Sequence, residues 1–114
     1  MIKKEGRITY EEEGETLVVR VRGEIDHHGA VGVRTEIDAR ILQSRPERVL
    51  LELSAVDFMD SSGLGLIMGR LALMKRCGGE LALLDPGDPV LKIVRLAGME
   101  RMVGILRTKI KTEG

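Results

Sequence analysis

VDFMDSSGLG, residues 56–65, joins two segments of different periodicity. The apolar run before it, residues 49–53, predicts a strand, and the apolar residues that recur over residues 64–74 predict a helix. Acids, serines and glycines between a strand and a helix are typical of a loop that ends at a helix N-terminus, where Asp60 or Ser61 can accept a hydrogen bond from a free backbone N–H. The partial positive charge of a helix N-terminus tolerates an anion. A serine at this position can therefore receive a phosphate without disrupting its own fold.

The composition predicts one domain, residues 1–114, with an aliphatic core. Hydrophobic residues make up 43% of the chain but aromatic residues only 2%, so Leu, Ile, Val and Met must fill the interior. The 18 basic and 18 acidic residues cancel, which together with the shortage of rings argues against nucleic-acid binding. Cys77 has no intramolecular partner for a disulfide, and no apolar run reaches the roughly 18 residues of a membrane span. We therefore expect a cytoplasmic protein that does not interact with membranes.

The whole chain predicts alternating strands and helices. Gly23 is expected to stop the second strand before a polar loop over residues 24–29, and the polar residues 108–114 are expected to fray. In order, the predicted elements are a hairpin (residues 7–11 and 17–22), a helix ending near Ser44, a strand (48–53), a helix (about 62–77), a strand (80–84), a helix capped by Asp88 with its apolar surface on Val90, Leu91, Val94 and Leu96, and a strand within residues 102–107.

This alternation predicts an α/β sheet with parallel strands and helices around it. The continuous aliphatic run at residues 49–53 indicates a strand that is covered on both sides. Loops at the carboxyl ends of parallel strands gather along one edge, so we expect residues 26–28 and residues 57–62 to be neighbours.

The predicted helix over residues 62–77 has two apolar stripes. The stripes are Leu64, Ile67, Met68, Leu71 and Met74 and, on the nearly opposite face, Ser62, Leu66, Gly69 and Leu73. A helix that packs only against a sheet needs one apolar face, so the first stripe must belong to the core. The second stripe either packs under another element or stays open for a partner, although isolated exposed apolar residues are also normal.

Two segments resemble the anti-sigma factor antagonists of the STAS domain family. They are GEIDHH, residues 23–28, and above all FMDSSGLGLIMGR, residues 58–70. The resemblance covers about residues 17–105, and its Asp-His-His segment indicates the sporulation branch. It implies a STAS-type fold, a small mixed sheet of four to five strands with surrounding α-helices. The chain after Ile105 is short for the last helix of that family.

The same resemblance implies a regulatory binding module that is not an enzyme and needs no cofactor. The unphosphorylated form would bind an anti-sigma factor that is also a serine kinase, with its bound nucleotide, and so release a sigma factor. The kinase would phosphorylate the first serine after the aspartate, here Ser61, and a PP2C-type phosphatase would restore the hydroxyl. We expect a monomer when free. The expected partner contacts are Asp26, His27, His28, Asp60, Ser62, Gly63, Leu64, Leu66, Gly69 and Leu73.

Without the resemblance, these residues also fit simpler interpretations. Ser61 alone predicts only a helix cap, and Ser62 would present its hydroxyl in another direction. His27 and His28 do not predict a metal site, because adjacent side chains diverge and no Cys cluster or third His accompanies them. A small hydrolase with Ser61 as nucleophile, one of these histidines as base and Asp26 as orienting group is a second hypothesis, weakened by the missing Gly-x-Ser-x-Gly pattern. A STAS regulator of another stress-response pathway is a third.

Overall fold

The computed structural model describes residues 7–108, which form a five-stranded sheet with three α-helices. The elements are β1 (Ile8–Glu13), β2 (Thr16–Ile25), α1 (His27–Ser44), β3 (Arg48–Met59), α2 (Ser62–Arg76), β4 (Glu80–Leu84), α3 (Asp88–Leu96), a 3-10 turn (Met99–Arg101) and β5 (Gly104–Leu106). The strands lie in the sheet in the order of the sequence. Only the β1–β2 pair is antiparallel among the strand pairs of the described residues. The predicted α/β fold with a small mixed sheet is confirmed.

The core lies on one face of the sheet. Along β3, Val49, Leu51 and Leu53 are buried, whereas Leu50 and Glu52 between them are only partly buried. The three buried β3 residues share one apolar cluster with buried residues of α1, α2 and α3. Because side chains alternate between the two faces of a strand, this pattern means that the helices cover one face and leave the other partly exposed. The prediction of a strand covered on both sides was therefore wrong.

Two strands run further than the sequence predicts. Gly23 has a φ of 92° and lies inside β2, where the register against β3 shifts. Glycine adopts this conformation without steric cost, so the strand continues through the register shift to Ile25 instead of stopping. β3 likewise continues past residue 53 to Met59. The predicted polar loop over residues 24–29 was wrong, because the chain passes directly from β2 into α1.

The C-terminal half matches the predicted order with shifted ends. Gly87 occupies the N-cap position of α3, without a side-chain hydrogen bond, so Asp88 lies in the first turn and is not the cap. Val90, Leu91 and Val94 are buried as expected, but Leu96 is 77% exposed and does not face the core. β5 is a short strand inside the predicted range. Thr108, the first of the residues expected to fray, is instead held in place, because its backbone N–H donates to Oδ1 of Asp85 at 2.8 Å. Residues 109–114 and any last helix lie outside the described residues.

Candidate functional site

Two helix N-termini lie side by side at the carboxyl edge of β2 and β3. The parallel register pairs Glu24 with Phe58 and Ile25 with Met59. The backbone N–H of Asp60 donates to the carbonyl oxygen of Ile25 at 3.3 Å, which joins the two strand ends. Since α1 begins directly after β2 and α2 soon after β3, both helices start at this edge. The expectation that residues 26–28 and 57–62 are neighbours is confirmed.

Asp26 caps α1. Its Oδ1 accepts the backbone N–H of Gly29 at 2.8 Å. This hydrogen bond lowers the pKa of the Asp26 carboxyl below its usual range, against a smaller opposing effect of burial, and the charges of His28 and Arg7 assist it. The carboxylate is thus fixed at the helix end. His27 and His28 are exposed in the first turn that it caps, with ring centroids 6.3 Å apart.

Asp60, and not Ser61, satisfies the free N–H at the start of α2. Asp60 Oδ1 accepts the Ser62 N–H at 2.8 Å. The Asp60 carbonyl oxygen also accepts the Gly63 N–H at 2.9 Å. Ser61 occupies the formal N-cap position, but its side chain makes no capping hydrogen bond and the residue is exposed. The hydroxyl of Ser61 is therefore available to another molecule without weakening the helix start.

Gly63 allows the first turn of α2 to rest on Met59. A Cβ on Gly63 would lie 2.2 Å from Met59 Cγ and 2.4 Å from Sδ, far inside van der Waals contact. Met59 is only 4% exposed and belongs to the core cluster. Gly65 is different, because a Cβ there would meet nothing within 4 Å. Close packing against Met59 thus sets the position of the first turn of α2 and of Ser61 before it.

The second apolar stripe of α2 is not an open surface. Leu66 is 3% exposed and Leu73 is 9% exposed, and both belong to the core cluster on the side where α2 packs against α1. Gly63 is buried as well. Packing inside this protein covers Gly63, Leu66 and Leu73, so their expected contact with a partner stays a prediction. Ser62, Leu64 and Gly69 remain partly exposed.

Arg70 joins α2 to α1 from inside the protein. It is 4% exposed, with Nε 2.6 Å from Oδ1 of Asp38 and Nη2 donating to Oδ2 at 3.2 Å. A second donor, Nη1, reaches the carbonyl oxygen of Leu66 at 3.2 Å. Burial lowers the pKa of the guanidinium, and the charge of Asp38 opposes that shift. The sequence alone favours an exposed charge at Arg70, so this ion pair between helices was missed.

A shallow groove of about 180 Å³ runs between the two helix starts. It is lined by His27, Ala30, Val31 and Arg34 from α1 and by Ser62, Gly65 and Leu66 from α2. Phe58 is 48% exposed at the end of β3. It is the only Phe in the chain, two residues before the Asp-Ser-Ser motif.

Residues 7–108 contain no cluster of three or more Cys, His, Asp or Glu side chains arranged to hold a metal ion. No helix in the same range has both the length and the apolar character needed to cross a membrane. Ser61 and the histidines are also not hydrogen-bonded to each other within this range, and Asp26 Oδ1 is engaged by Gly29.

The family model described as the STAS domain matches residues 7–112. Among curated proteins, the anti-sigma F factor antagonist of Paenibacillus polymyxa is 38% identical over 94 residues, which cover 82% of this chain and 80% of the relative. The anti-sigma-B factor antagonist of Bacillus subtilis is 29% identical over 98 residues, covering 86% of this chain and 85% of the relative.

Two solved structures share this architecture over nearly their full length. The anti-sigma factor antagonist SpoIIAA in its unphosphorylated form superposes with a TM-score of 0.76 at 30% identity, covering 90% of this chain and 88% of that one. The Bacillus cell fate determinant SpoIIAA in its phosphorylated form gives a TM-score of 0.70 at 29% identity, covering 90% and 91%.

Proposed function

Since the chain belongs to the STAS domain family, we propose that it is an anti-sigma factor antagonist whose binding is switched by phosphorylation of Ser61. The observation that carries the proposal is the exposed Ser61 hydroxyl, which stands at the start of α2 while Asp60 does the capping. The names of the relatives support it, and the higher identity to the sigma-F antagonist favours a role in sporulation transcription over one in a general stress pathway.

In the unphosphorylated state, the protein binds an anti-sigma factor that is also a serine kinase with bound nucleotide, and the sigma factor is released. Phosphoryl transfer depends mainly on positioning the acceptor in line with the nucleotide phosphate. Ser61 suits this role because it is exposed at a fixed helix start. The first turn of α2 packs on Met59, and Asp60 caps it. A PP2C-type phosphatase reverses the modification. The protein itself supplies no catalytic group, and we place it in the cytoplasm as a free monomer.

Phosphorylation acts on the interface and leaves the fold intact. The phosphate adds about −1.5 to −2 charges, which a helix N-terminus tolerates. In the complex, however, it occupies the position next to the nucleotide phosphates from which it came, and like charges at short range repel. Each 1.4 kcal/mol of docking free energy lost in this way weakens binding by about a factor of ten. The docked kinase therefore dissociates from the phosphorylated form.

The test is transfer of labelled phosphate from ATP by the cognate anti-sigma kinase. Ser61→Ala should abolish transfer and keep binding, whereas Ser61→Asp should lose binding. Ser54→Ala is the matched control, because Ser54 is an exposed serine on β3 and should leave both unchanged. Transfer that persists in Ser61→Ala, or a Ser61→Asp variant that binds as tightly as the unaltered chain, would refute the proposal.

The alternative within the family is a regulator of another stress pathway, which the sigma-B relative supports. Binding assays with anti-sigma factors of the sigma-F and sigma-B types distinguish the two roles. Preferential capture of the sigma-B type would replace the sporulation proposal while keeping the Ser61 switch.

A further inference from the structure

A cavity of about 330 Å³ opens between the start of β1 and the first half of α1. The residues that form its walls are Arg7 and Ile8 on the strand side and Gly29, Gly32, Val33 and Glu36 on the helix side. The helix residues recur at intervals of three and four, so they share one face of α1. A Cβ on Gly32 would meet nothing within 4 Å. The two glycines on this face therefore leave room for a ligand beside the helix.

Arg7 brings charged donors to this cavity. Within residues 7–108, Nε and Nη2 of its guanidinium are buried and have no hydrogen-bond acceptor. Nη2 lies against α1, 2.9 Å from the position that a Cβ on Gly29 would occupy. Asp26 serves the helix start instead, since its Oδ1 accepts the Gly29 N–H at 2.8 Å. A charged donor that is buried without an acceptor destabilises the folded state, so an acceptor supplied by a ligand would remove that cost.

Arg70 shows, in the same protein, what such a pair of donors accepts. Its Nε lies 2.6 Å from Oδ1 of Asp38, and its Nη2 donates to Oδ2 at 3.2 Å. This planar two-point contact matches the geometry of a carboxylate. Arg7 has the same two donors at the wall of a cavity, where the matching carboxylate has to come from another molecule.

We propose that this cavity binds a small organic monocarboxylate, with Arg7 holding the carboxylate and Ile8 and Val33 contacting the apolar part. A small rotation of the long arginine side chain turns the donor pair toward the ligand. The volume lies at the lower end of the range for ligand pockets, which restricts the site to small molecules. Glu36 follows Gly29 by two helix turns, about 10 Å further along α1, and its negative charge disfavours a second carboxylate at that end. The inference does not depend on the proposed function.

The experiment titrates the isotope-labelled full chain with pentanoate, glutarate and inorganic phosphate and follows the NMR signals. Pentanoate should shift the backbone amides of Gly29 and Gly32 and the Nε–H of Arg7 in a saturable way. Glutarate has the same number of carbons and a second carboxylate, and should bind several-fold more weakly. Arg7→Gln should weaken pentanoate binding at least about tenfold, because it removes the charge and the two-point contact. Arg95→Gln is the matched control, since Arg95 is exposed in the last turn of α3 and should leave binding unchanged.

Gly32→Leu tests the cavity without touching the arginine. Its side chain enters open space, so the variant should fold and lose pentanoate binding, whereas Gly65→Leu, which also meets nothing within 4 Å, should fold and keep it. If Arg7→Gln does not fold, as circular dichroism will show, Gly32→Leu decides alone. The proposal is refuted if pentanoate gives no saturable shift at about 10 mM, or if the variants that fold bind it as tightly as the unaltered chain. Tighter binding of phosphate than of pentanoate would refute the carboxylate assignment. None of these outcomes affects the proposed Ser61 switch.

Discussion

Gly63→Ala is expected to destabilise the protein, although glycine-to-alanine changes inside helices usually stabilise. The added Cβ would lie 2.2 Å from Met59 Cγ, 2.4 Å from Sδ and 3.0 Å from Cε. Cγ is close to the backbone, so relieving the clash requires a rotation about the first side-chain bond of Met59. That side chain is buried, so the rotation would displace other core residues or lift the first turn of α2.

The magnitude follows from two opposing effects. Overpacking a core by a methyl group costs about 1–3 kcal/mol. Replacing a helical glycine by alanine stabilises the folded protein by roughly 0.5–1 kcal/mol, because alanine restricts the unfolded chain. Gly63→Ala should therefore lose about 1–2 kcal/mol. Gly65→Ala has only the favourable effect, because nothing lies within 4 Å of its Cβ, and it should gain up to about 1 kcal/mol.

Urea and thermal unfolding followed by circular dichroism measure both variants. At roughly 4–8 °C per kcal/mol for a domain of this size, their melting temperatures should differ by about 10 °C. The cost of Gly63→Ala should shrink when Met59 is shortened to Ala, since the double variant leaves room for the new methyl group. The reasoning is refuted if both glycine variants shift the melting temperature in the same direction, or if shortening Met59 does not change the cost of Gly63→Ala.

Three further changes test other contacts. Asp38→Asn should lower the free energy of unfolding in urea by about 2 kcal/mol, because it leaves the buried Arg70 guanidinium without its counter-charge. Adding Arg70→Met should recover part of that loss. An unchanged urea midpoint in Asp38→Asn would contradict this. Tyr10 is the only tyrosine, so absorbance at high pH reports the ionisation of its phenol alone. Burial first and the charge of a glutamate second raise the pKa of Tyr10, so its contribution to the free energy of unfolding should be fully present below about pH 10 and be lost as the pH rises above it. An ordinary titration of Tyr10 would refute this assignment. Asp60→Ala should cost about 1 kcal/mol, whereas Ser61→Ala should cost almost nothing, and equal losses would assign the cap to both residues.

Local periodicity predicted the elements, but contacts between distant residues set their ends. β4 matches the predicted range because its apolar run is bounded by a glycine pair and a turn. The extension of β3 to Met59 was missed, since exposed Ser54 and Ala55 interrupt its apolar pattern and only pairing with β2 keeps the chain extended. The ion pair of Arg70 joins residues 32 positions apart, and no local signal records such a partner.

The sequence also left open whether Asp60 or Ser61 starts α2, and the answer affects how a switch can work. If the Ser61 hydroxyl accepted the helix N–H, a phosphate there would disturb the cap, and modification would alter stability together with binding. Since Asp60 Oδ1 accepts that N–H, the cap survives when Ser61 changes its charge. Under the proposed function, a phosphate on Ser61 would leave this cap in place, so its charge would act on the docked partner and not on the helix start. The acid before the serine would therefore separate the charge of Ser61 from the stability of α2 in the proposed switch.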